Sequence, residues 1–301
     1  MTVKMNQITG RWNAFFLFVL FLFALLVLIP IALVVVISFS SSRSVAEVGF
    51  SLTPVEWSLQ AYDHLWKMGK QLRDSYLITI FYTVAGTLMS VTTMSLYAYV
   101  ISQRNFVARR FLTWFLFFTM LFSGGLVPSY IVNTVYLRLN DTIWVFLLPT
   151  LVSAYNVIIL RTFIMTTIPD ALFEAARIDG AGHFAIFGRV VLPLFKAGLA
   201  TIGLFNVVNR WNDWFIGMMY INKPGLVPLQ TLLQKMQRTI EFLKANSGVA
   251  STPDGVAMLK NLPEHNLRMA CTVIIILPMT VAYPFFQRYF IHGLTMGSIK
   301  E

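Results

Sequence analysis

The sequence predicts an all-α, polytopic membrane protein, and three observations carry that prediction. Hydrophobic residues make up 57% of the 301-residue chain and charged residues 12%, where soluble domains carry about a quarter charged residues. Mean hydropathy is correspondingly high, at +0.69. The apolar residues are gathered into six runs, most of them close to the ~20 residues that a helix needs to cross hydrocarbon. A polar, glycine-bearing stretch from Ile168 to Pro193 separates the fourth run from the fifth and is too broken to cross a bilayer.

The first span is expected at about Ala14–Ile37, preceded by Lys4, Arg11 and Trp12. A cleavable signal would carry an apolar core of about 7–15 residues and a small-residue cleavage site. Here the apolar run is longer and continues into Ser38-Phe39-Ser40, so the N-terminus is expected to be retained. Phe15, Phe16, Phe18, Phe21 and Phe23 read as lipid-facing bulk. Residues 41–73, with Pro54, Trp57, Tyr62 and Trp66, read as an interfacial loop.

A second span at about Asp74–Ile101 is rich in Thr, Ser, Gly86 and Ala, residues that let helices approach closely in lipid, and it is expected inside the bundle. Arg104, Arg109 and Arg110 form the densest basic cluster of the chain and mark a cytoplasmic turn, although Lys and Arg as a whole divide evenly between the two sides. The third span, about Phe111–Val127, ends in Ser123-Gly124-Gly125-Leu126-Val127-Pro128, whose freed backbone groups need protein or cavity water. The fourth runs over about Thr142–Met165 with Pro149, Tyr155, Asn156 and Arg161, the last read mainly as a headgroup anchor. The fifth spans about Ala197–Ile221 and the sixth about Leu267–Tyr289. Six spans place both termini on one side. Between the last two, Leu229, Leu232, Leu233, Met236, Ile240 and Leu243 recur at helical spacing on an amphipathic piece that caps the bundle or meets an external partner.

In the polar stretch, Pro169 suits the first turn of a helix, with Thr166 or Thr167 as its cap. The helix is expected to end near Ile178, with Leu172, Phe173 and Ala176 on one face. The Gly180-Ala181-Gly182 turn follows, supplying positive φ or close approach. A second helical piece carries Phe184, Phe187, Val190 and Val191, and Pro193 ends it. Such a compact apolar face wants a partner, either the lipid headgroups or a groove on a soluble subunit.

The fifth span carries Asn206, Asn209, Arg210, Trp211, Asn212, Asp213 and Trp214 within one interval. Charge at that depth faces the bundle interior or a watery cavity, so these residues are solute-path candidates. An Arg210–Asp213 ion pair that locks the bundle, or snorkelling from the interface, is the structural alternative. Amides, a carboxylate, a guanidinium and indole rings together suit a carbohydrate, and Tyr155 and Asn156 extend the candidate path.

Several chemistries are not supported. The basic residues sit at the ends of apolar runs and form no stripe for nucleic acid. The single Cys271 excludes an intrachain disulfide and reads as a small core residue. His64, His183, His265 and His292 lie in separate segments without metal-ligand spacing. There is no GxxxxGK[ST] phosphate loop, so any ATP that drives the protein is hydrolysed by another chain. A membrane-embedded glycosyl-transfer enzyme, with Arg210, Asn212 and Asp213 catalytic, would need a nucleotide-sugar domain or clustered cytoplasmic acids. The cytoplasmic acids are only Asp170, Glu174, Asp179 and Glu301. A stand-alone secondary sugar transporter would show inverted repeats.

The order Glu174-Ala175-Ala176, three residues, Gly180, nine residues, then Val190-x-Leu192-Pro193 resembles the EAA loop of ABC importer permeases, with Val190 where isoleucine is usual. The resemblance covers nearly the whole chain. FSGGLVPSYIV, LLPTLVSAYNVIILRTF, WNDWF, VPLQTLLQ and the C-terminal GLTMGSIKE are similar to the carbohydrate branch, the maltose-type permeases and those that handle oligosaccharides. It implies the type I importer permease fold, six transmembrane helices with a cytoplasmic coupling helix. The domain plan is a single transmembrane domain over residues 1–301: first span about 14–37, five-span core about 74–290, coupling loop about 166–195, extracytoplasmic segment about 222–266 and tail 291–301.

By the same resemblance, Glu174, Ala175, Ala176, Asp179, Gly180, Gly182, Leu192 and Pro193 form the element that couples to the ATPase. The implied partners are a second homologous permease, two ATP-binding subunits that hold ATP and Mg, an extracytoplasmic solute-binding lipoprotein and an oligosaccharide. The chain itself is expected to hold no cofactor, to catalyse nothing, and to lie in a bacterial cell membrane with both termini cytoplasmic. In the maltose-type permeases the sugar site lies mainly in the other permease, and the tail reaches between the ATP-binding subunits.

Overall fold

The computed structural model describes residues 10–245 and 264–297. Lys4, the far part of the segment before the last span and the final residues of the tail lie outside them, as do the side chains of Ile240 and Leu243. Among the described residues the chain is helical, with one isolated antiparallel bridge, Ser40 to Trp57, and no longer strand. Three helices are long and apolar enough to cross a membrane, and three bent helix pairs bring the number to six if each pair is one span.

The chain divides into two compact units. The first comprises residues 1–69 and 237–276. Its helix α1 (Gly10–Ser38) leaves Phe15, Phe16, Phe18, Phe21 and Phe23 exposed, as lipid-facing bulk requires. The C-terminal carbonyls of α1 lack helical partners. The buried Asn266 amide donates to two carbonyls there, those of Ile37 and Ser40. The stretch expected as a loop instead holds α2 (Ser42–Val48) and α3 (Gln60–Lys67). Ser41 caps the former by accepting from Ser44 N at 3.0 Å. Tyr62 anchors the latter, stacked on Phe39 at 4.8 Å with its hydroxyl 2.9 Å from Ser38 Oγ. Local polar side chains supply these short helices, and a search for long apolar periods passes over them.

The second unit comprises residues 70–236 and 277–301. Its central helix α4 (Lys70–Ser102) buries Ser75, Thr79, Thr83, Gly86, Ser90, Ser95 and Ala98, the small-residue face expected of an interior helix. Helix α5 (Arg109–Leu121) ends sooner than the third span read from sequence. After Gly125, at φ 82°, the chain turns by 115° into α6 (Leu126–Tyr136). The fourth run is likewise not one helix: α7 (Trp144–Leu147) stops before Pro149, and α8 (Ala154–Thr167) restarts with Ser153 as its cap.

Next come α9 (Asp170–Ile178), α10 (His183–Leu194) and α11 (Lys196–Trp211). A widened turn in α10, with Leu192 N donating to Phe187 O, immediately precedes Pro193, whose ring and missing N–H prevent the ordinary bond to residue 189. Helix α12 (Phe215–Tyr220) is separated from α11 by a break at 212–214. Helices α13 (Leu229–Ala245) and α14 (Glu264–Gly297), whose residues 237–276 belong to the first unit, are the last of the described elements. The start of α13 carries the expected amphipathic face, with Leu229 and Leu232 buried. Its first N–H donates to Thr79 Oγ1 at 2.9 Å.

The core of this unit joins Met94, Ala98, Leu160, Ile164, Ile186, Val191, Phe195 and Ile202 from α4, α8, α10, α11 and the connection between the last two. At the other end a loop latch forms. Asp141, at φ 55°, accepts from the backbone N–H of Asn222 at 2.6 Å and of Lys223 at 2.9 Å, and donates its own N–H to Tyr220 O at 3.0 Å. Those two N–H donors hold the Asp141 carboxyl below the ordinary carboxylate range.

Candidate functional site: a coupling turn and a polar cavity

The coupling stretch forms from local chemistry. Pro169, in extended conformation, is itself the residue before the first turn of α9. The expected threonine cap is absent: Thr166 and Thr167 complete α8, and Thr166 Oγ1 bonds back to Thr162 O at 2.9 Å. Helix α9 ends in a double closure, with Gly180 N donating to Arg177 O at 3.0 Å and Ala181 N donating to Ala176 O at 2.9 Å. That closure requires a left-handed residue, which Gly180 supplies at φ 77°. Gly182 adopts φ −70° with open space where a Cβ would lie, so neither reason for a glycine applies there.

Packing divides α9 into two faces. Phe173 is buried against Tyr99, at 6.5 Å between rings, and Ala176 packs on the same core. Glu174, Ala175, Leu172 and Ile178 point away and are exposed, as are Asp179 and Gly180. The apolar face expected from sequence is thus split, with Leu172 turned outward and Ile178 taking a place beside it. Phe184, at the start of α10, is 86% exposed rather than buried. Leu192 packs at the edge of the core. An exposed surface of two aliphatics and an aromatic around one carboxylate is the shape of a docking element.

The polar cluster of the fifth run is sorted differently from its sequence. Arg210 is 6% exposed. Its Nη1 donates to Phe146 O at 2.6 Å, and its Nη2 donates to Ser90 Oγ at 2.7 Å and Thr150 O at 3.1 Å. Tyr82, stacked on Phe146 at 4.8 Å, donates its hydroxyl to Arg210 O. Gly86 is where the guanidinium crosses α4: a Cβ there would stand 2.6 Å from Nη1. The break at Pro149 frees carbonyls that lipid could not satisfy, and Arg210 satisfies them. The Arg210–Asp213 ion pair considered from sequence does not form. Asp213 Oδ1 instead accepts from the N–H groups of Phe215 at 2.9 Å and Ile216 at 3.1 Å, capping α12.

Beside this clasp lies a cavity of about 310 Å³. Five of the candidate path residues line it: Asn156, Asn206, Asn209, Arg210 and Asp213. The others do not. Tyr155 is 60% exposed and does not line the cavity. Trp211 is buried toward Tyr76, at 6.5 Å between rings. Asn212 bonds to Val208 O and Gln230, and Trp214 packs edge-on against Phe215. Tyr82, Phe146, Thr150, Val152 and Ser153 complete the wall and were not singled out from sequence. The only sequence signal for them is Pro149, which breaks the helix and turns its carbonyls inward. Arg161, read as a headgroup anchor, donates Nε to Ile101 O at 3.3 Å at the end of α4.

Comparison with known proteins identifies this architecture. Residues 95–295 match the family described as "binding-protein-dependent transport system inner membrane component". The chain is 36% identical to the polygalacturonan/rhamnogalacturonan transport system permease protein YtcP of Bacillus subtilis (strain 168), over 87% of this chain and 89% of that protein. It is 34% identical to protein LplC of the same organism, over 87% of this chain and 86% of that one. Its fold superposes with a TM-score of 0.79 at 30% identity on a chain of a bacterial ABC transporter involved in the import of the acidic polysaccharide alginate, covering 95% of this chain and 99% of that chain. The glycosyl-transfer and secondary-transport alternatives are not favoured by these relationships. An integral membrane protein with bent helix pairs and a polar turn between two of them, this chain belongs to the family of binding-protein-dependent inner-membrane transport components: it is an ABC importer permease subunit, a non-enzymatic transport component.

Proposed function

We propose that this subunit translocates an oligosaccharide, delivered by an extracytoplasmic binding lipoprotein, through a bundle formed with a second homologous permease. Two ATP-binding subunits drive it and hold ATP and Mg, and this chain holds no cofactor. It lies in a bacterial cell membrane as a single transmembrane domain, with both termini and the α9–α10 turn cytoplasmic. The relatives named for polygalacturonan/rhamnogalacturonan transport and for alginate import support the substrate class. The cavity supports it chemically, because Asn156, Asn209 and Asp213 offer amide and carboxylate groups of the kind that pair with hydroxyls.

The observation that carries the reading is the exposed face of α9, where Glu174 stands with Ala175 while Phe173 anchors the opposite face in the bundle core. ATP binding closes the ATPases, the docked helix follows, and the bundle rocks to open its cavity outward. Glu174→Lys tests it in vesicles that contain the complete complex. Glu174 makes no packing contact in the bundle core, so the variant is expected to assemble while uptake falls at least about tenfold, the effect of losing about 1.4 kcal/mol at the docking contact. Normal uptake would remove the coupling role of Glu174. ATPase stimulation by the binding protein with neutral or acidic oligosaccharides, compared with unrelated solutes, tests the substrate class separately.

A further inference from the structure

A second cavity, of about 370 Å³, lies at the other end of α4, between its last turns, the following loop and the α9–α10 turn. Its walls include Tyr99, Val100, Gln103, Phe106, Arg177 and His183, and no carboxylate lines it. Arg177 faces Gln103, donating Nη2 to Gln103 Oε1 at 2.7 Å. At the start of α9 an ion pair joins other residues, Arg104 and Asp170 at 2.9 Å, and does not involve Arg177. The remaining guanidinium donors of Arg177 are free to take an anion. His183 stands 3.4 Å from the Tyr99 hydroxyl through Nδ1, which leaves its other ring nitrogen for a ligand.

The opposite wall is apolar. Val100 and Phe106 form it, and Phe106 continues into Val107, 99% exposed, and Phe111, 70% exposed, at the start of a membrane-spanning helix that also carries Arg109 and Arg110. A cavity with a cationic end, an apolar wall and a path along exposed apolar side chains toward the bilayer suits an amphiphile better than a freely soluble anion. Basic pockets at the cytoplasmic ends of transmembrane helices take anionic headgroups for this reason.

We propose that this cavity is a site for an anionic phospholipid of the surrounding leaflet, its phosphate bound by Arg177 and His183 and its apolar part lying on Val100 and Phe106. Arg177 follows Phe173 by one helical turn and, although exposed, reaches toward Gln103 at the end of α4, whereas Glu174 and Ile178 have no such contact and are exposed. The lipid therefore does not compete with anything docked on the outer face. It bridges α4 to α9 and stiffens the lever between bundle and coupling turn, which makes anionic lipid an activator of transport. This inference does not depend on which solute is carried.

The test uses the complete transporter in nanodiscs of phosphatidylcholine, with or without phosphatidylglycerol. Native mass spectrometry of lipid retained after release is read alongside transport-coupled ATPase activity. Wild type is expected to retain phosphatidylglycerol and to be stimulated by it. Arg177→Gln is expected to lose retention about tenfold, the effect of removing one charge-assisted contact, and to lose the stimulation. Val100→Trp keeps Arg177 but fills the apolar wall, and is expected to lose both in the same way, which secures the test if the arginine variant assembles poorly. Equal phosphatidylglycerol retention in wild type and both variants would overturn the site. Inorganic phosphate that displaces the lipid and stimulates activity in pure phosphatidylcholine would overturn the lipid assignment in favour of a soluble anion.

Discussion

The clasp around Arg210 and the turn around Gly180 are both polar interruptions in an apolar chain, and the structure uses them in opposite ways. In the clasp nearly every donor is turned inward: Nη1 and Nη2 of Arg210 reach Phe146 O, Ser90 Oγ and Thr150 O, and Tyr82 closes on the backbone of Arg210 itself. In the turn, the backbone bonds close the end of α9, and the side chains of Glu174, Ile178 and Phe184 are left facing out. A polar residue inside a span is thus not by itself a solute contact. What separates the two regions is whether the polar groups are consumed by freed backbone or left available.

The largest expected effect comes from breaking the clasp. Arg210→Leu removes the charged donor from the carbonyls of Phe146 and Thr150 and leaves them only the weaker hydroxyl bonds from Thr150 Oγ1 at 3.1 Å and Ser90 Oγ at 3.4 Å. It should lower stability by about 2–4 kcal/mol, as removal of several charge-assisted bonds implies, and it should be read as a drop in the thermal midpoint of the purified complex. Arg210→Lys should recover only part, because one ammonium cannot serve three divergent acceptors. An Arg210→Leu complex of native stability that fails only in transport would instead make the guanidinium a solute ligand.

Gly86→Ala attacks the same clasp from the other side. A methyl 2.6 Å from Nη1 must displace the guanidinium, whose position is set by three bonds, and overpacking of this kind costs about 1–3 kcal/mol. Combined with Arg210→Leu, the two losses should fall well short of additive, since the second change relieves the clash made by the first.

The turn should respond more mildly. Gly180→Ala meets no atom within 4 Å, so its cost is purely that of holding an L-residue at φ 77°, about 1 kcal/mol, and should appear as reduced coupling with nearly native thermal stability. Gly182→Ala, at φ −70° and in open space, should be silent in the same assay. Equal effects at the two glycines would show that the outer surface, not the backbone conformation, matters at this turn.

The smallest effect is expected at the loop latch. The Asp141 carboxyl titrates below its ordinary value when folded, so its contribution is complete above the unfolded pKa, near 3.8, and is lost as pH falls through the folded value. Asp141→Asn should therefore flatten a slight acid-side loss of loop protection measured by hydrogen exchange at residues 220–223, and change little at neutral pH. A clear difference at neutral pH would assign the latch a larger part in holding the loop than two exposed hydrogen bonds imply.

Much of this was legible in the residues. The six apolar runs, the interior character of α4 from its Ser, Thr, Gly and Ala content, and the Gly180 stop before a second helical piece follow from hydropathy, small-residue content and turn chemistry. These are local properties. The short helices α2 and α3 were missed because their stabilising contacts, Ser41 to Ser44 and Tyr62 to Phe39, are a cap and a stacked ring, not a periodicity. The breaks inside the third, fourth and fifth runs were underestimated because an apolar run does not reveal where its backbone leaves the helix.

The sequence by itself determined that the chain lives in a bilayer, that one broken polar stretch projects from it, and that Glu174 and Gly180 stand in the order of a coupling loop. Only the tertiary structure decided what each polar residue does. Asn209, Arg210, Asn212 and Asp213 are neighbours in the chain, yet Arg210 is consumed by carbonyls of α7 and the α7–α8 break, Asp213 caps α12 and Asn212 bonds along its own helix, while Asn209 lines the cavity together with the walls that Arg210 and Asp213 supply. A hydrogen-bonding group in lipid goes to whichever unsatisfied partner the packing brings within reach, and for Arg210 the two carbonyl partners lie 64 and 60 residues away in the sequence.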